Sequence, residues 1–235
     1  MTVRLFIDGE LKKDVQVTLT DNQHHYLLHV MRSHVGDNVL LFNGQEGEWL
    51  AVVSEISKKK TVLSVVENTR LQSEEELSDV WLCFAPIKKD NMEFIIQKAT
   101  ELGVSVLQPV ITRRTVVGKV NPDKMRLQAI EAAEQCERLS VPLIKDAITF
   151  DNLLKKFDSE RILYYLDERG EGRDLKLQDK SAYLVGPEGG FDADELKKLR
   201  SFAFASPVHL GRRILRAETA CVTILSIHNH LCGWR

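Results

Sequence analysis

The feature that most constrains the fold is a change of hydrophobic period near residue 80. Before it, apolar residues come in short β-branched runs at Val3 to Ile7, Val15 to Leu19, Asn38 to Phe42, Trp49 to Ile56 and Thr61 to Val66. Asp8-Gly9, Gly36-Asp37 and Asn43-Gly44 separate these runs, and Asn43-Gly44 between two apolar stretches signals a hairpin. One helical interruption is expected over Asp21 to Met31, with Tyr26, Leu27 and Val30 on a shared face. So many short strands predict a small β-barrel over residues 1–70. Residues 71–79 are polar, acidic and free of glycine, and read as a linker.

After the change, strand-like runs alternate with helical patterns. The strands are expected at Trp81 to Ile87, Val104 to Val110, Ile162 to Leu166, Ala182 to Gly186 and Pro207 to Leu210. Asp90 with Glu93, and Asp192 with Glu195, carry the spacing of capping boxes. Asn121-Pro122 places a cap before proline at a first helical position. A last helix is expected over about Glu218 to Leu231, with Cys221, Ile224, Leu225, His228 and Leu231 on one stripe. Alternation of this kind predicts a parallel α/β domain over 80–235.

In such sheets ligands collect where strands run out into helices. Two of these loops stand out. Leu184-Val185-Gly186-Pro187-Glu188-Gly189-Gly190-Phe191 holds three glycines, which let a backbone approach a ligand closely or simply make a tight turn. Its spacing matches neither G-x-G-x-x-G nor a Walker loop, which argues against a phosphate cradle. Leu210 to Ala220 (LGRRILRAETA) carries Arg212, Arg213 and Arg216. Arg212 and Arg213 fit a solvated turn, whereas Arg216 stands where a helix begins and anions are favoured.

Charge bounds the partners. The 235 residues hold 32 Lys plus Arg against 34 Asp plus Glu, a net of −2. A blanket of positive charge is absent, so a polyanion must dock on local clusters such as Lys88-Lys89 and Arg113, Arg114, Lys119, Lys124 and Arg126. His24-His25-x-x-x-His29 lacks the acidic or cysteine partners of a metal site, so no metal is expected. Cys83 and Cys221 lie in apolar runs and read as core. Four scattered cysteines without C-x-x-C spacing, no long apolar run and no apolar leader predict a cytoplasmic protein with no membrane span.

LVGPEGGFDADEL (184–196) and LGRRILRAETA (210–220) together resemble the cofactor loops of the SPOUT superfamily of RNA methyltransferases. More narrowly, they are similar to the bacterial small-subunit ribosomal RNA uridine N3-methyltransferase family. KKDNMEFIIQKATELGV (88–104), EAAEQCERLSVPLI (131–144), HHYLLHVMRSHVGD (24–37) and LFNGQEGEW match that family too, in order along nearly the whole chain. Met31 stands where the family usually has Leu, a volume-conserving change.

The resemblance implies a PUA-like β-barrel that grips RNA, then a SPOUT α/β domain with a C-terminal trefoil knot. It implies a homodimer that uses S-adenosylmethionine to methylate N3 of a uridine in 16S ribosomal RNA of the small subunit. It assigns the cofactor to Leu166, Leu184, Gly186, Pro187, Glu188, Gly189, Gly190, Leu210, Gly211, Arg213, Ile214, Leu215, Thr219 and Ala220. Arg216 becomes the candidate for stabilising charge on a uracil oxygen. Glu188 either orients an amine or accepts a proton. Arg4, Arg32, Lys88, Arg113, Arg114 and Arg138 become candidate RNA contacts. Ribose 2′-O-methylation and a non-catalytic ribosome-assembly factor are the competing readings.

Overall fold

The computed structural model describes residues 2–75, 79–167 and 180–232, and residues 76–78 of the expected linker lie outside the described residues. The chain divides into two compact units: residues 1–76 with 133–141, and residues 77–132 with 142–235.

In the first unit, β1 (Val3–Phe6), β2 (Gln16–Thr18), β3 (Asn38–Phe42), β4 (Glu48–Ile56) and β5 (Thr61–Arg70) form one sheet in the order β1-β3-β4-β5-β2. The β1–β3 pair is parallel and the others are antiparallel. Leu5 of β1 and Val17 of β2 sit at opposite ends of that order, yet both join a single core with Leu41, Val53 and Leu63. One core shared by both edge strands requires the sheet to curl round on itself, the geometry of a small barrel. The β3–β4 turn runs through residues 43–47 and not through two residues alone. The Asn43 side chain accepts from the amides of Gln45 and Glu46 and so builds a longer turn.

The expected helix over Asp21 to Met31 is shorter and then changes its winding. α1 (Asp21–His25) opens with a capping box between Thr20 and Gln23. A π-helical turn follows over Tyr26–Val30, closed by the Met31 amide on the Tyr26 carbonyl. This wider winding breaks the shared face. Leu27 is fully buried, while Tyr26 and Val30 are exposed.

The first unit also fixes Arg4. Its guanidinium donates to Glu48 Oε2 at 2.6 Å and to the carbonyls of Ala133 and Arg138 at 2.8 and 2.6 Å. It also lies 3.8 Å over the Phe42 ring. Arg4 is buried, so the expectation that it contacts RNA is corrected: its donors are spent inside the protein. Arg138 is largely buried as well, 3.9 Å from Glu75, and donates to Ser140. Burial holds its pKa down, with Glu75 opposing. It too serves the interior and not a solvent-facing patch.

In the second unit, β6 (Val80–Phe84), α2 (Lys89–Glu101), β7 (Val106–Ile111), α3 (Pro122–Gln135, whose last turn belongs to the first unit), β8 (Leu143–Ile144), β9 (Ile148–Thr149), α4 (Phe150–Lys156), β10 (Ile162–Leu166), β11 (Ser181–Val185), α5 (Ala193–Arg200), β12 (Ala205–Val208) and α6 (Ala217–Cys232) follow in order. The sheet order is β12-β10-β11-β6-β7-β8, with β9 also on β7, and every described pair is parallel. Alternate residues of a strand face opposite sides. Leu163 and Tyr165 of β10 pack with Phe150, Leu153 and Leu154 of α4 and Leu199 of α5. Tyr164 stacks on Tyr183, whose hydroxyl shares a 2.8 Å hydrogen bond with His228 of α6. The sheet is therefore covered on both faces.

Three helix starts were legible and one was not. Asn121 Oδ1 accepts from the Lys124 amide before Pro122. Asp192 and Glu195 exchange hydrogen bonds at 2.9 and 3.0 Å, closing the second capping box. The last helix begins at Ala217, next to the expected start. Asp90 caps nothing, because α2 starts at Lys89 with Lys88 preceding it and Asp90 falls inside the first turn. There its charge still favours the helix N-terminus.

Candidate functional site

A cavity of about 420 Å³ opens at the carboxyl ends of β10, β11 and β12. Leu166 and Asp167 close β10, Val185 closes β11 and Val208 closes β12, and all four line it. This is where a parallel sheet holds ligands, because the loops that leave the strands diverge there. The size suits a small organic molecule.

The two loops singled out by their sequence form its walls. Gly186, Pro187, Glu188 and Gly190 come from the first, and Leu210, Gly211, Arg213, Ile214, Leu215 and Arg216 from the second, with Ala220 behind them. In the first loop the Gly190 amide donates to the Pro187 carbonyl at 2.8 Å, and Gly190 has φ 66°. A left-handed residue closing so short a turn is what glycine supplies without strain. Gly186 faces Phe191 closely enough that a Cβ there would lie 3.2 Å from the ring. Phe191 lines the cavity and reaches into the core.

Three residues assigned to the cofactor are placed elsewhere. Leu184, a residue of β11, is fully buried in the core, since Val185, one residue on, is at the strand end. Thr219 is exposed, because a helical turn of 100° per residue carries Ala217 and Ala220 toward the cavity and Thr219 away from it. Gly189 stands outside the cavity wall with its carbonyl held by Arg114 at 2.7 Å. Val185, Phe191 and Ala217, within or beside the two loops, and Asp167, Ala193, Leu196, Val208 and His209, outside them, line the cavity without being among the residues the resemblance assigns to the cofactor. Asp167, which is paired with Arg200 at 3.0 Å, follows an apolar strand directly, and that position was the available signal.

The basic candidates separate by what they touch. Arg113 is paired with Asp192 and Asp194, and its amide donates to Glu195 Oε1 at 2.9 Å. Asp192 lies below the usual carboxylate range, first because the Glu195 amide donates to it and then because of Arg113. Arg114 lines the cavity. Lys88 and Arg32 are exposed, and Arg32 holds a left-handed backbone with φ 54°. Cys83 and Cys221 are buried, and burial pushes the Cys83 thiol up to about 12 and Cys221 up also. Neither is a nucleophile at neutral pH.

The cavity chemistry suits a ligand with a large uncharged surface. Its walls are mostly apolar side chains and loop backbone, with Arg114, Asp167, Glu188, His209, Arg213 and Arg216 as the polar side chains. Glu188 and Arg216 are both exposed to solvent, ready to meet a second molecule.

Comparison with known proteins agrees in both units. Residues 73–229 match a family described as RNA methyltransferase domain, and residues 19–66 match one described as RNA methyltransferase PUA domain. The ribosomal RNA small subunit methyltransferase E of Rickettsia conorii is 36% identical over 231 residues, covering 95% of this chain and 93% of its own. The enzyme of the same name from Synechocystis is 34% identical over 241 residues, with coverage of 98% and 78%. Among solved structures, the Neisseria gonorrhoeae ribosomal RNA small subunit methyltransferase E bound to S-adenosyl methionine superposes with a TM-score of 0.89 at 27% identity, covering 98% of each chain. A Legionella pneumophila methyltransferase in complex with S-adenosylmethionine gives 0.88 at 28% identity, again covering 98% of each chain. With a PUA domain ahead of a methyltransferase domain and full-length relatives above 30% identity, this chain belongs to the ribosomal RNA small subunit methyltransferase E family.

Proposed function

We propose that this protein transfers a methyl group from S-adenosylmethionine to N3 of a uridine in 16S ribosomal RNA. The single observation that carries this is the cavity walled by the two loops, in a chain whose relatives include cofactor-bound methyltransferases. The cofactor, when bound, supplies a methyl already activated by its sulfonium. Gly186, Pro187, Gly190, Leu210, Gly211 and Leu215 would hold it through backbone and apolar contact, needing neither a phosphate loop nor a metal.

The chain's own task is to orient the base and to stabilise charge. Uracil N3 is a poor nucleophile until its proton leaves, and the negative charge then spreads onto the carbonyl oxygens. Arg216, at the cavity and exposed at the start of α6, donates to one of those oxygens. The N-terminus of α6 beside it adds partial positive charge of the same sign. Glu188 faces the same space and either accepts the proton or orients an amine. The base must be taken out of pairing to reach the pocket, which favours an unstacked nucleotide. Lys88 and Arg32 are solvent-facing cations able to meet phosphate.

The assembly is proposed as a cytoplasmic homodimer with a C-terminal trefoil knot. Apolar side chains left in solvent at Ile214, Ile227 and Leu231 support a second copy. The knot is proposed from the likeness of the 184–196 and 210–220 loops to those of the family.

The test is methyl transfer from labelled S-adenosylmethionine to purified small ribosomal subunits, with nucleoside analysis of the digested RNA. N3-methyluridine is the expected product. A 2′-O-methyl nucleoside refutes the assignment of Arg216, and cofactor binding without any transfer favours an assembly factor. Arg216→Ala should lower turnover at least about 100-fold, the scale for losing one oxyanion donor. Its cofactor affinity should stay within a few-fold.

A further inference from the structure

Arg113 and Arg114 are adjacent in a basic segment, but the structure gives them different work. Arg113 is neutralised by Asp192 and Asp194, and its amide holds Glu195 of the capping box that starts α5. Among the described residues, no carboxylate pairs with Arg114. Its Nη1 instead donates to the carbonyls of Gly189 at 2.7 Å and Phe191 at 3.4 Å. Its aliphatic stem runs beside Gly189, where a Cβ would meet Arg114 Cδ at 3.5 Å. The two arginines thus grip both ends of the segment from Gly189 to Glu195.

Two main-chain carbonyls converging on one nitrogen need a donor between them, because otherwise their dipoles oppose each other, and a cationic donor satisfies both most strongly. The same turn carries Gly190 in its left-handed conformation and presents Gly186, Pro187 and Glu188 to the cavity. Its shape is therefore held by a side chain of another loop, one that itself reaches the cavity wall. That loop, residues 112–121, continues into the solvent-facing Lys119 region of the basic cluster.

We propose that Arg114 is a positioning residue for the cofactor loop, holding the 186–191 turn in its binding shape through the Gly189 and Phe191 carbonyls. This rests on the functional reading above and deepens it. The affinity for S-adenosylmethionine depends on a residue outside both glycine-containing loops.

The experiment compares full-length wild type, R114A and R114K. It measures calorimetric affinity for S-adenosylmethionine, KM for small ribosomal subunits, melting temperature, and hydrogen exchange of the amides in 188–191. Loss of a charge-assisted hydrogen bond predicts about 10-fold weaker cofactor binding in R114A. R114K should fall between, roughly 3-fold weaker, since an ammonium replaces the charge but not the planar fork. Exchange at 188–191 should quicken in both, while KM for subunits moves by less than about 3-fold.

Unchanged cofactor affinity with a raised KM for subunits overturns the proposal and makes Arg114 an RNA contact. If R114A does not fold, R114K decides, and wild-type affinity with wild-type exchange in R114K overturns it too. A wild-type protein that binds no S-adenosylmethionine refutes the functional reading instead. In that case exchange at 188–191 still tests whether Arg114 holds the turn.

Discussion

Arg4→Ala is the sharpest test of how charge is used in the first unit. The Arg4 and Glu48 side chains retain 5% and 7% of their exposure and meet at 2.6 Å. Truncation leaves the Glu48 carboxylate buried, with Thr69 Oγ1 at 3.1 Å and Arg70 at 3.9 Å as the remaining partners. It also strips donors from the Ala133 and Arg138 carbonyls, and removes the cation over Phe42. Breaking a buried pair from one side costs about 3–5 kcal/mol. Arg70 can move toward the orphaned carboxylate, which favours the lower end, about 3 kcal/mol. That is a large share of a domain's whole stability. Urea unfolding followed by circular dichroism should show the midpoint falling with the slope unchanged. Arg32→Ala, at an exposed position, should stay within about 0.5 kcal/mol of wild type. The double variant Arg4→Met with Glu48→Leu should recover part of the loss, because both charges leave together while the Ala133 and Arg138 carbonyls stay without the Arg4 donors. A loss under about 1 kcal/mol in Arg4→Ala, with weaker binding to ribosomal subunits, would show that Arg4 faces RNA and that the burial argument is wrong.

Gly186→Ala places a methyl 3.2 Å from the Phe191 ring, which is backed by Phe150 with ring centroids 6.2 Å apart. The ring has little room to retreat, so a cost of about 1–3 kcal/mol and weaker cofactor binding are expected. Wild-type melting and affinity together would refute this packing. His228 is buried against Tyr183 and Cys232, and desolvation lowers its pKa below the ordinary 6.5. The unfolded chain then binds the proton more readily, so this contribution to stability is present above about pH 6.5 and is lost as pH falls toward the folded value. His228→Gln should flatten the pH dependence in that window, and an unaltered slope would assign the acid sensitivity to other groups.

Much of the site could be read from local chemistry. A strand that ends in Gly-Pro-Glu-Gly-Gly and enters a capped helix must turn within a few residues, and the Asp192–Glu195 box marks where the helix begins. Strand alternation also implied the parallel sheet, and with it a site at the strand ends. The misses have specific causes. α4 is only seven residues long, and its Thr149 cap offered a weak periodic signal. Asp90 with Glu93 had the spacing of a cap, yet the Met92 amide bonds the Lys88 carbonyl and starts the helix earlier. Leu184 and Val185 are both apolar and adjacent, and only the strand's end point decides which meets the cavity.

The sequence by itself determined the two periodicities, the helix caps that punctuate the second half, and the pair of loops that carry glycine and arginine. These are local properties, since each depends on residues a few positions apart. The tertiary structure alone decided which arginines are free to act. Arg4, Arg113 and Arg114 look alike along the chain, but one is buried on Glu48, one is neutralised by two aspartates, and one holds two loop carbonyls. A charge is written in the sequence, whereas its solvation and its partners come from residues 44 to 134 positions away and exist only once the chain has folded.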